Sequence, residues 1–180
     1  MTEKTENKLI AETERLLLRE LDDDDFPGLC HVLQDEEVTY AYGRVFTDRE
    51  IRFWLDGQYR HYRDNGYGMW AVVLKETGKM IGHAGICWQC YGDEDVPEIG
   101  YMFEKAVWGK GYATEAAMAC RDYAFRTLKM KRVYSVIRTD NMASRSVARK
   151  NGMRITETVY KPVNGQMLPH YMYSVKNPEK

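Results

Sequence analysis

The pattern of apolar and polar residues in the first third of the chain predicts one strand and two helices. The stretch TERLLLREL alternates in part, which predicts a strand over residues 15–20. The following DDDDFPGLCHVLQDEE places Pro27 behind aspartates that suit helix N-caps, so a short helix is predicted there. A longer helix is predicted over TDREIRFWLDGQYRHYRDNG, because Thr47 and Glu50 match a capping box and Gly66 follows the last charged turn.

The middle of the chain is rich in strand-forming residues and then changes to helical periodicity. Two β-rich runs around KETGK predict a hairpin with strands over residues 69–74 and 80–88, and EIGYMFE predicts a further strand that begins at Glu98. An amphipathic helix is predicted over residues 114–128. Its apolar face is formed mostly by small side chains, which allow close packing on a sheet: Ala113, Ala117, Cys120, Ala124 and Leu128.

The last third of the chain predicts a strand, a short helix and a hairpin. These are RVYSVIR, SRSVARKNG with its end at Gly152, and RITETVYKPVNGQMLPHYMYSV with a turn at Asn164-Gly165. The full order is β-α-α-β-β-β-α-β-α-β-β. Hairpins combined with a strand-helix-strand crossover predict an α/β (α+β) fold with a mixed central β-sheet flanked by helices.

Length and composition indicate one globular domain over residues 1–180. The chain has 44% hydrophobic and 29% charged residues, and it shows neither an internal repeat nor a linker rich in Pro, Gly or Ser. Residues 1–10 and 176–180 are expected to be flexible ends. Monomer and homodimer are both compatible with the sequence.

Charge and hydropathy exclude several classes of partner. The formal net charge is −1 without a basic arm, so nucleic acid is not expected to bind. A membrane is not an expected partner either, since no run approaches the roughly 18 apolar residues of a membrane span. The first residues lack the apolar core of a signal peptide, which favours a cytoplasmic location with the four cysteines reduced.

The stretch VWGKGYATEA resembles a loop that binds phosphate. It does not match a Walker A loop, because Lys110 lies between its two glycines, and Thr114 stands where a dinucleotide fingerprint has its third glycine. A G-x-G-x-A turn before a helix fits better, since successive backbone N–H groups converge on an anion there. The alternative is a tight turn at Gly109 and Gly111 without any ligand.

Two segments together resemble a known superfamily. EIGYMFEKAVWGKGYATEAAMACRDYAF and RVYSVIRTDNMASRSVARKNGM are similar to the GCN5-related N-acetyltransferase (GNAT) superfamily, and within it to the Rim-type ribosomal-protein N-terminal acetyltransferases. The resemblance implies a single-domain GNAT-type fold, acetyl-coenzyme A (acetyl-CoA) as cosubstrate and no metal. It also implies direct acetyl transfer from the thioester to a primary amine, on a protein N-terminus or a small molecule. A non-catalytic acyl-CoA-binding module of the same fold is the alternative.

The resemblance assigns the coenzyme to the loop, the preceding strand and the second segment. Trp108 stands at the first position of the family signature, where Gln or Arg is usual, so the grip on the pyrophosphate is expected from the backbone. Asn141 is expected to bond the pantetheine arm. The implied coenzyme-binding residues are Met102, Phe103, Trp108, Gly109, Lys110, Gly111, Tyr112, Ala113, Thr114, Asn141 and Ser144.

The resemblance also implies the catalytic residues. Glu98 corresponds to a general base, and its strand is expected to separate from its neighbour near Met102 and Phe103, which exposes a backbone N–H to the carbonyl. Ser144 is the candidate acid for the departing thiolate, because Ala148 stands where many members carry a tyrosine. The alternatives are a carboxylate that ends a strand for Glu98 and a helix cap for Ser144.

Aromatic-rich segments supply the candidates for acceptor binding, which are Tyr42, Trp88 and Tyr171. Most other tyrosines and tryptophans are expected in the core or at its rim. The spacing CWQC lacks the second ligand pair of a zinc site, and the four histidines show no ligand spacing, so no metal site is predicted.

Overall fold

A computed structural model describes residues 8–91 and 94–179 of the chain. Within this part the chain forms one eight-stranded sheet and four α-helices. The strands are β1 (Leu9–Glu12), β2 (Leu16–Arg19), β3 (Met69–Leu74), β4 (Lys79–Tyr91), β5 (Glu94–Phe103), β6 (Arg132–Arg138), β7 (Arg154–Val163) and β8 (Gln166–Lys176). The helices are α1 (Phe26–Leu33), α2 (Asp48–Asn65), α3 (Tyr112–Arg126) and α4 (Met142–Lys150).

The strands lie in the order β1-β2-β3-β4-β5-β6-β8-β7. All neighbouring strands are antiparallel except β5 and β6, which are parallel and are connected by α3. The predicted α/β (α+β) class with a mixed sheet is therefore confirmed. The sheet consists of two antiparallel halves, and β5 and β6 form the junction between them.

Helices cover both faces of the sheet. The face against α3 buries the larger core, which includes Leu16, Leu18, Trp70 and Val72. The opposite face packs Ala71 and Val73 against apolar residues of α1 and α2. Strand β3 alternates between the two cores, which explains why its sequence MWAVVL is apolar throughout.

The small apolar face of α3 lies against the sheet, as predicted. Its buried residues are Ala116, Ala117, Cys120, Ala124 and Phe125. Trp70 is fully buried beneath the helix, and its ring meets the ring of Tyr123 edge-on at 5.1 Å between centroids. Small side chains in the first turns keep α3 close to the strands, so its N-terminus lies near the end of β5.

The predicted caps of α2 are confirmed. Thr47 Oγ1 accepts from the Glu50 N–H at 3.3 Å, and Glu50 Oε2 accepts from the Thr47 N–H at 2.8 Å. Gly66 ends the helix in the left-handed region with φ of 76°. Inside the helix, the buried Gln58 accepts from the Met69 N–H at 2.9 Å, which fixes the start of β3.

Parts of the two ends that were expected to be flexible form strands and hydrogen bonds. Strand β1 begins at Leu9, within the segment expected to be flexible, because it pairs with β2. Lys176 ends β8, and the Asn177 N–H donates to the Lys131 carbonyl at 2.9 Å. Residues 1–7 and 180 of the predicted flexible ends lie outside the described residues.

Strand β5 begins earlier than predicted. It starts at Glu94, so Glu98 lies in the middle of the strand. The acidic segment and Pro97 are typical of a loop, but this segment pairs with the exposed end of β4, where Trp88 lies opposite Pro97. Pairing with β4, which the local pattern does not reveal, accounts for the difference.

None of the described helices has the length and apolar character needed to cross a membrane.

Candidate active site

A cleft of about 260 Å³ opens where β5 and β6 separate. The two strands share one paired position, Glu98 opposite Tyr134. Beyond it, side chains replace the backbone ladder: Ser135 Oγ donates to the Ile99 carbonyl at 2.8 Å, and the Val136 N–H donates to Glu98 Oε1 at 3.0 Å. These bonds satisfy polar groups that the ladder leaves unpaired, so the opening is a stable part of the fold.

The separation begins earlier on β5 than the sequence predicts. Ile99, Gly100 and Tyr101 line the cleft, whereas the expected point was at Met102 and Phe103. Those two residues still pair with β4 on the other side of the strand, and the Phe103 side chain is buried in the core. The carboxylate of Glu98 explains the shift, because it occupies the place of the next ladder bond.

Glu98 is held at both carboxylate oxygens. Besides the Val136 N–H on Oε1, the Tyr91 hydroxyl donates to Oε2 at 2.8 Å. Burial raises the pKa of the Glu98 carboxyl above its usual value, although both hydrogen bonds and the charge of Lys161 act in the opposite direction. This position within the strand and inside the cleft does not match a carboxylate that merely ends a strand.

Two segments distant in sequence form the rim of the cleft. One is the turn between β7 and β8, and the other is residues 39–43 between α1 and α2. Asn164 Nδ2 donates to the Gly43 carbonyl at 2.9 Å, and Arg138 Nη1 donates to the Tyr40 carbonyl at 3.1 Å. The first bond joins the two rim segments across the opening, and the second joins residues 39–43 to β6.

The structure brings one of the three predicted acceptor residues to the cleft. Tyr42 lines it, and burial raises the pKa of its hydroxyl to about 12, although 56% of the residue as a whole is exposed. Trp88 is half exposed and donates to the Tyr67 hydroxyl outside the cleft. Tyr171 packs beneath the Arg145 guanidinium near α4.

Sequence reasoning missed Tyr91, Lys161 and His170, which contact or line the cleft. His170 neighbours Tyr171 on β8 and therefore faces the opposite side. Its Nδ1 donates to the Leu168 carbonyl at 2.9 Å, and burial lowers its pKa. Period-two alternation predicts that His170 and Tyr171 lie on opposite faces of the sheet, but only the register of the sheet shows which of them faces the cleft.

The glycine loop before α3 turns at two positions with positive φ. Gly109 and Gly111 have φ of 75° and 85°, a region that favours glycine, and the position of a Gly109 Cβ is open. Gly111 is the N-cap residue of α3, and no side chain caps the helix. Trp108 Nε1 donates to the Phe103 carbonyl at 3.0 Å, so this side chain anchors the loop to the end of β5.

Arg15 and Glu115 clamp this loop from the other side. Arg15 Nε and Nη2 lie 2.7 and 2.6 Å from Glu115 Oε2, and Nη1 donates to the Lys110 carbonyl at 2.9 Å. The guanidinium also stacks on the Tyr112 ring. Burial opposes ionisation of Glu115, but bonds from Thr13 and Arg15 outweigh it and lower its pKa. The clamp joins the turn before β2 to the start of α3.

Asn141, and not Ser144, caps α4. Asn141 Oδ1 accepts from the Ser144 N–H at 3.0 Å, which makes Ser144 the third residue of the helix and excludes the alternative that it is the cap. The Ser144 carbonyl accepts from the Tyr101 hydroxyl at 3.1 Å. Because α3 follows β5, α4 follows β6 and the two strands are parallel, both helix N-termini lie at the same edge of the sheet.

Comparison with known proteins decides the family. Residues 15–154 match the acetyltransferase (GNAT) domain. The chain belongs to the GNAT acetyltransferase family. Its relatives include the uncharacterized protein YkkB of Bacillus subtilis, which is 37% identical over 83% of this chain and 87% of YkkB. A crystal structure of a GNAT-family acetyltransferase from Bacillus anthracis is 27% identical, with a TM-score of 0.80 over 96% of this chain and 100% of that one.

Rim-type ribosomal-protein acetyltransferases are among the solved structures that share this fold. RimL, a ribosomal L7/L12 α-N-protein acetyltransferase solved in complex with coenzyme A, shares the fold of this GNAT protein with a TM-score of 0.78. That match covers 96% of this chain and 100% of RimL at 19% identity. GNAT enzymes use acetyl-CoA as the acetyl donor. Among residues 8–91 and 94–179, no group of three or more potential metal ligands is clustered.

Proposed function

We propose that this GNAT protein transfers an acetyl group from acetyl-CoA directly to a primary amine, on a protein N-terminus or a small molecule. The observation that carries the proposal is the Glu98 carboxylate, fixed inside the opening between β5 and β6. The glycine loop of α3 and the Asn141 cap of α4 lie at the same edge of the sheet. This arrangement supports Glu98 as the proton acceptor for an amine that reaches a thioester held at that edge.

The residues present fit the coenzyme. The uncapped N-terminus of α3, from Tyr112 to Thr114, leaves backbone N–H groups for a pyrophosphate, and the loop glycines add the close approach that phosphate needs. The Asn141 amide is proposed to bond the pantetheine arm, and Ser144 to lie beside the sulfur. When bound, acetyl-CoA supplies the activated acetyl group, and the protein supplies orientation and proton transfer.

The backbone of β5 provides a candidate donor for the developing oxyanion. The Ile99 carbonyl accepts from Ser135 Oγ, and the Phe103 carbonyl accepts from Trp108 Nε1. The backbone carbonyls of both residues therefore point away from β4. Tyr101 lies between them with the same strand parity, and its N–H therefore faces the cleft. One such donor lowers the barrier by about 3 kcal/mol.

The proton steps follow from this arrangement. Glu98 takes a proton from the ammonium form of the acceptor, and the neutral amine then attacks the thioester carbonyl. A C–N bond forms and the C–S bond breaks. Ser144 gives its hydroxyl proton to the departing thiolate and is restored by the second proton that the amine nitrogen loses, and Glu98 releases the first proton to solvent. An α-amine with a pKa of about 8 requires less from the base than a lysine amine with a pKa of about 10.4.

Calorimetry with purified protein and a thiol-release assay test the proposal. Acetyl-CoA should bind, and thiol should be released with at least one amine from a panel of peptides, polyamines and amino-modified small molecules. Glu98→Gln should remove most of the turnover and leave coenzyme binding intact. Binding without turnover on any amine would favour the non-catalytic acyl-CoA-binding module, and no binding would reject the coenzyme site.

A further inference from the structure

The hydroxyl of Tyr91 connects Glu98 to a cation on a third strand. It donates to Glu98 Oε2 at 2.8 Å, and Lys161 Nζ lies 3.4 Å from the same hydroxyl oxygen. The ammonium only donates, so the hydroxyl accepts from Lys161 and gives its own proton to Glu98. Strands β4, β5 and β7 thus contribute one residue each to a directed chain that ends on the carboxylate.

This series of hydrogen bonds restricts the orientation of the Glu98 carboxylate more than a single hydrogen bond would. The Val136 N–H occupies one lone pair of Oε1, and Tyr91 occupies one lone pair of Oε2. Rotation about the last side-chain bond breaks at least one of these bonds, so the plane of the carboxylate is fixed. One lone pair on each oxygen remains for an acceptor amine in the cleft.

We propose that Tyr91, supported by Lys161, is the positioning residue of the catalytic base, which it holds ionised and in one orientation towards the acceptor amine. This inference rests on the proposed function, because only a proton-transfer role requires a base here. Tyr91 acts through Glu98 and keeps its own proton. Burial and the neighbouring Glu98 charge raise the pKa of the Tyr91 hydroxyl, so it remains a donor.

The surroundings of Glu98 make these contacts decisive. Burial is the largest influence on the Glu98 pKa and raises it, while Tyr91, the Val136 N–H and Lys161 lower it. Arg138 is engaged by Asp140 at 2.6 and 2.8 Å. The titratable or charged groups that face Glu98 or line its cleft, from every described element around it, are Tyr42, Cys87, Tyr91, Tyr101, Arg138, Lys161 and His170.

His170 is the rival base. It lines the same cleft, and its Nδ1 donates to the Leu168 carbonyl, which leaves Nε2 as a proton acceptor. If His170 were the base, the acidic limb of the pH profile would report its imidazole, and removal of the Tyr91 hydroxyl would leave that limb in place.

The kinetic test compares Tyr91→Phe with wild type, using an amine found in the acceptor panel. The acidic limb of kcat/KM should move to higher pH, with a loss on the order of tenfold near pH 6 that recovers at high pH. The KM for acetyl-CoA should not change. Lys161→Met should act in the same direction and Lys161→Arg should restore the limb. The exposed Tyr160→Phe is the matched control and should match wild type.

A second measurement does not require turnover. The Glu98 side-chain carboxyl carbon, assigned by its loss in Glu98→Gln, is titrated by NMR in the free protein and in Tyr91→Phe. The midpoint should rise in the variant. An unchanged midpoint with intact coenzyme binding and turnover would overturn the role of Tyr91 alone. A raised midpoint in a protein that transfers no acetyl group would instead reject the proposed function, and with it the catalytic meaning of the contact.

Discussion

The clamp on the glycine loop predicts that Arg15→Met weakens binding of coenzyme A. Arg15 makes two charge-assisted contacts with Glu115 and one hydrogen bond to the Lys110 carbonyl. Without them, the loop between Trp108 and Gly111 is held from one side only, by the indole bond to the end of β5. The loop would then have to become ordered when coenzyme A binds, which makes the free energy of binding less favourable.

The magnitude follows from the contacts and their exposure. Charge-assisted hydrogen bonds in protected sites contribute about 1.5–3 kcal/mol each, whereas exposed ion pairs contribute about 0–1 kcal/mol. The Glu115 side chain is 16% exposed but Arg15 is 40% exposed, so the clamp lies between these limits. We expect about 2 kcal/mol for the whole clamp, which corresponds to a roughly thirtyfold increase in Kd.

Calorimetry on two variants separates the clamp from simple charge attraction. Arg15→Met removes both the clamp and a positive charge beside the loop, while Glu115→Gln weakens the clamp and keeps the charge. Both should raise the Kd, and the surface variant Arg63→Met should not. If Glu115→Gln bound coenzyme A as wild type does, long-range attraction would explain the Arg15 effect. If Arg15→Met lowered Tm but left the Kd within twofold, the clamp would serve the fold alone.

The remaining predictions concern the loop, the cap and the base. Gly111→Val should weaken coenzyme A binding at least tenfold, because a branched side chain is strained at a φ of 85° and would extend from the loop towards the bound pyrophosphate. Gly78→Val, with a φ of 67° and open surroundings, is the control, and an unchanged Kd for Gly111→Val would mean that this loop does not bind the coenzyme. Asn141→Ala should cost about 1 kcal/mol of unfolding free energy through the lost cap. Asn141→Ser should recover that stability in thermal denaturation but not the coenzyme affinity, and recovery of both would assign Asn141 to capping only. Glu98→Gln should lower kcat about a hundredfold or more at unchanged acetyl-CoA affinity. In wild type, activity should fall as pH drops through the raised pKa of Glu98, since the protonated carboxyl cannot act as a base, and a flat acidic limb in stopped assays from pH 5 to 8 would contradict this assignment.

Features that depend on a few neighbouring residues could be predicted from the sequence. The capping box of Thr47 and Glu50 and the turn at Asn164-Gly165 depend on local hydrogen bonds and on positive φ, which is 50° and 75° at the turn. The apolar face of α3 follows from helical periodicity. These elements were therefore found, with ends shifted by a few residues.

Features that depend on register could not be predicted in the same way. Glu98 was expected at the start of a strand, and only the pairing of EDVPE with the end of β4 places it in the middle of β5. Tyr91 bonds Glu98 from β4, and Lys161 reaches the Tyr91 hydroxyl from β7, which no local pattern shows. Asn141 took the capping role considered for Ser144, because an amide oxygen three residues earlier reaches the free N–H.

The contact between Asn164 and Gly43 has a consequence for how related enzymes diverge. It joins positions 121 residues apart on the rim and involves neither the residues of the clamp nor the hydrogen-bond partners of Glu98. A Cβ at position 43 would collide with the Asn164 side chain, so the two positions constrain each other. Under the proposed function, paired substitutions here would change the shape of the cleft opening through which the amine enters. The glycine loop that binds the coenzyme and the base Glu98 would remain unchanged. New acceptor preferences can therefore evolve by exchange of two small turns on an unchanged catalytic frame.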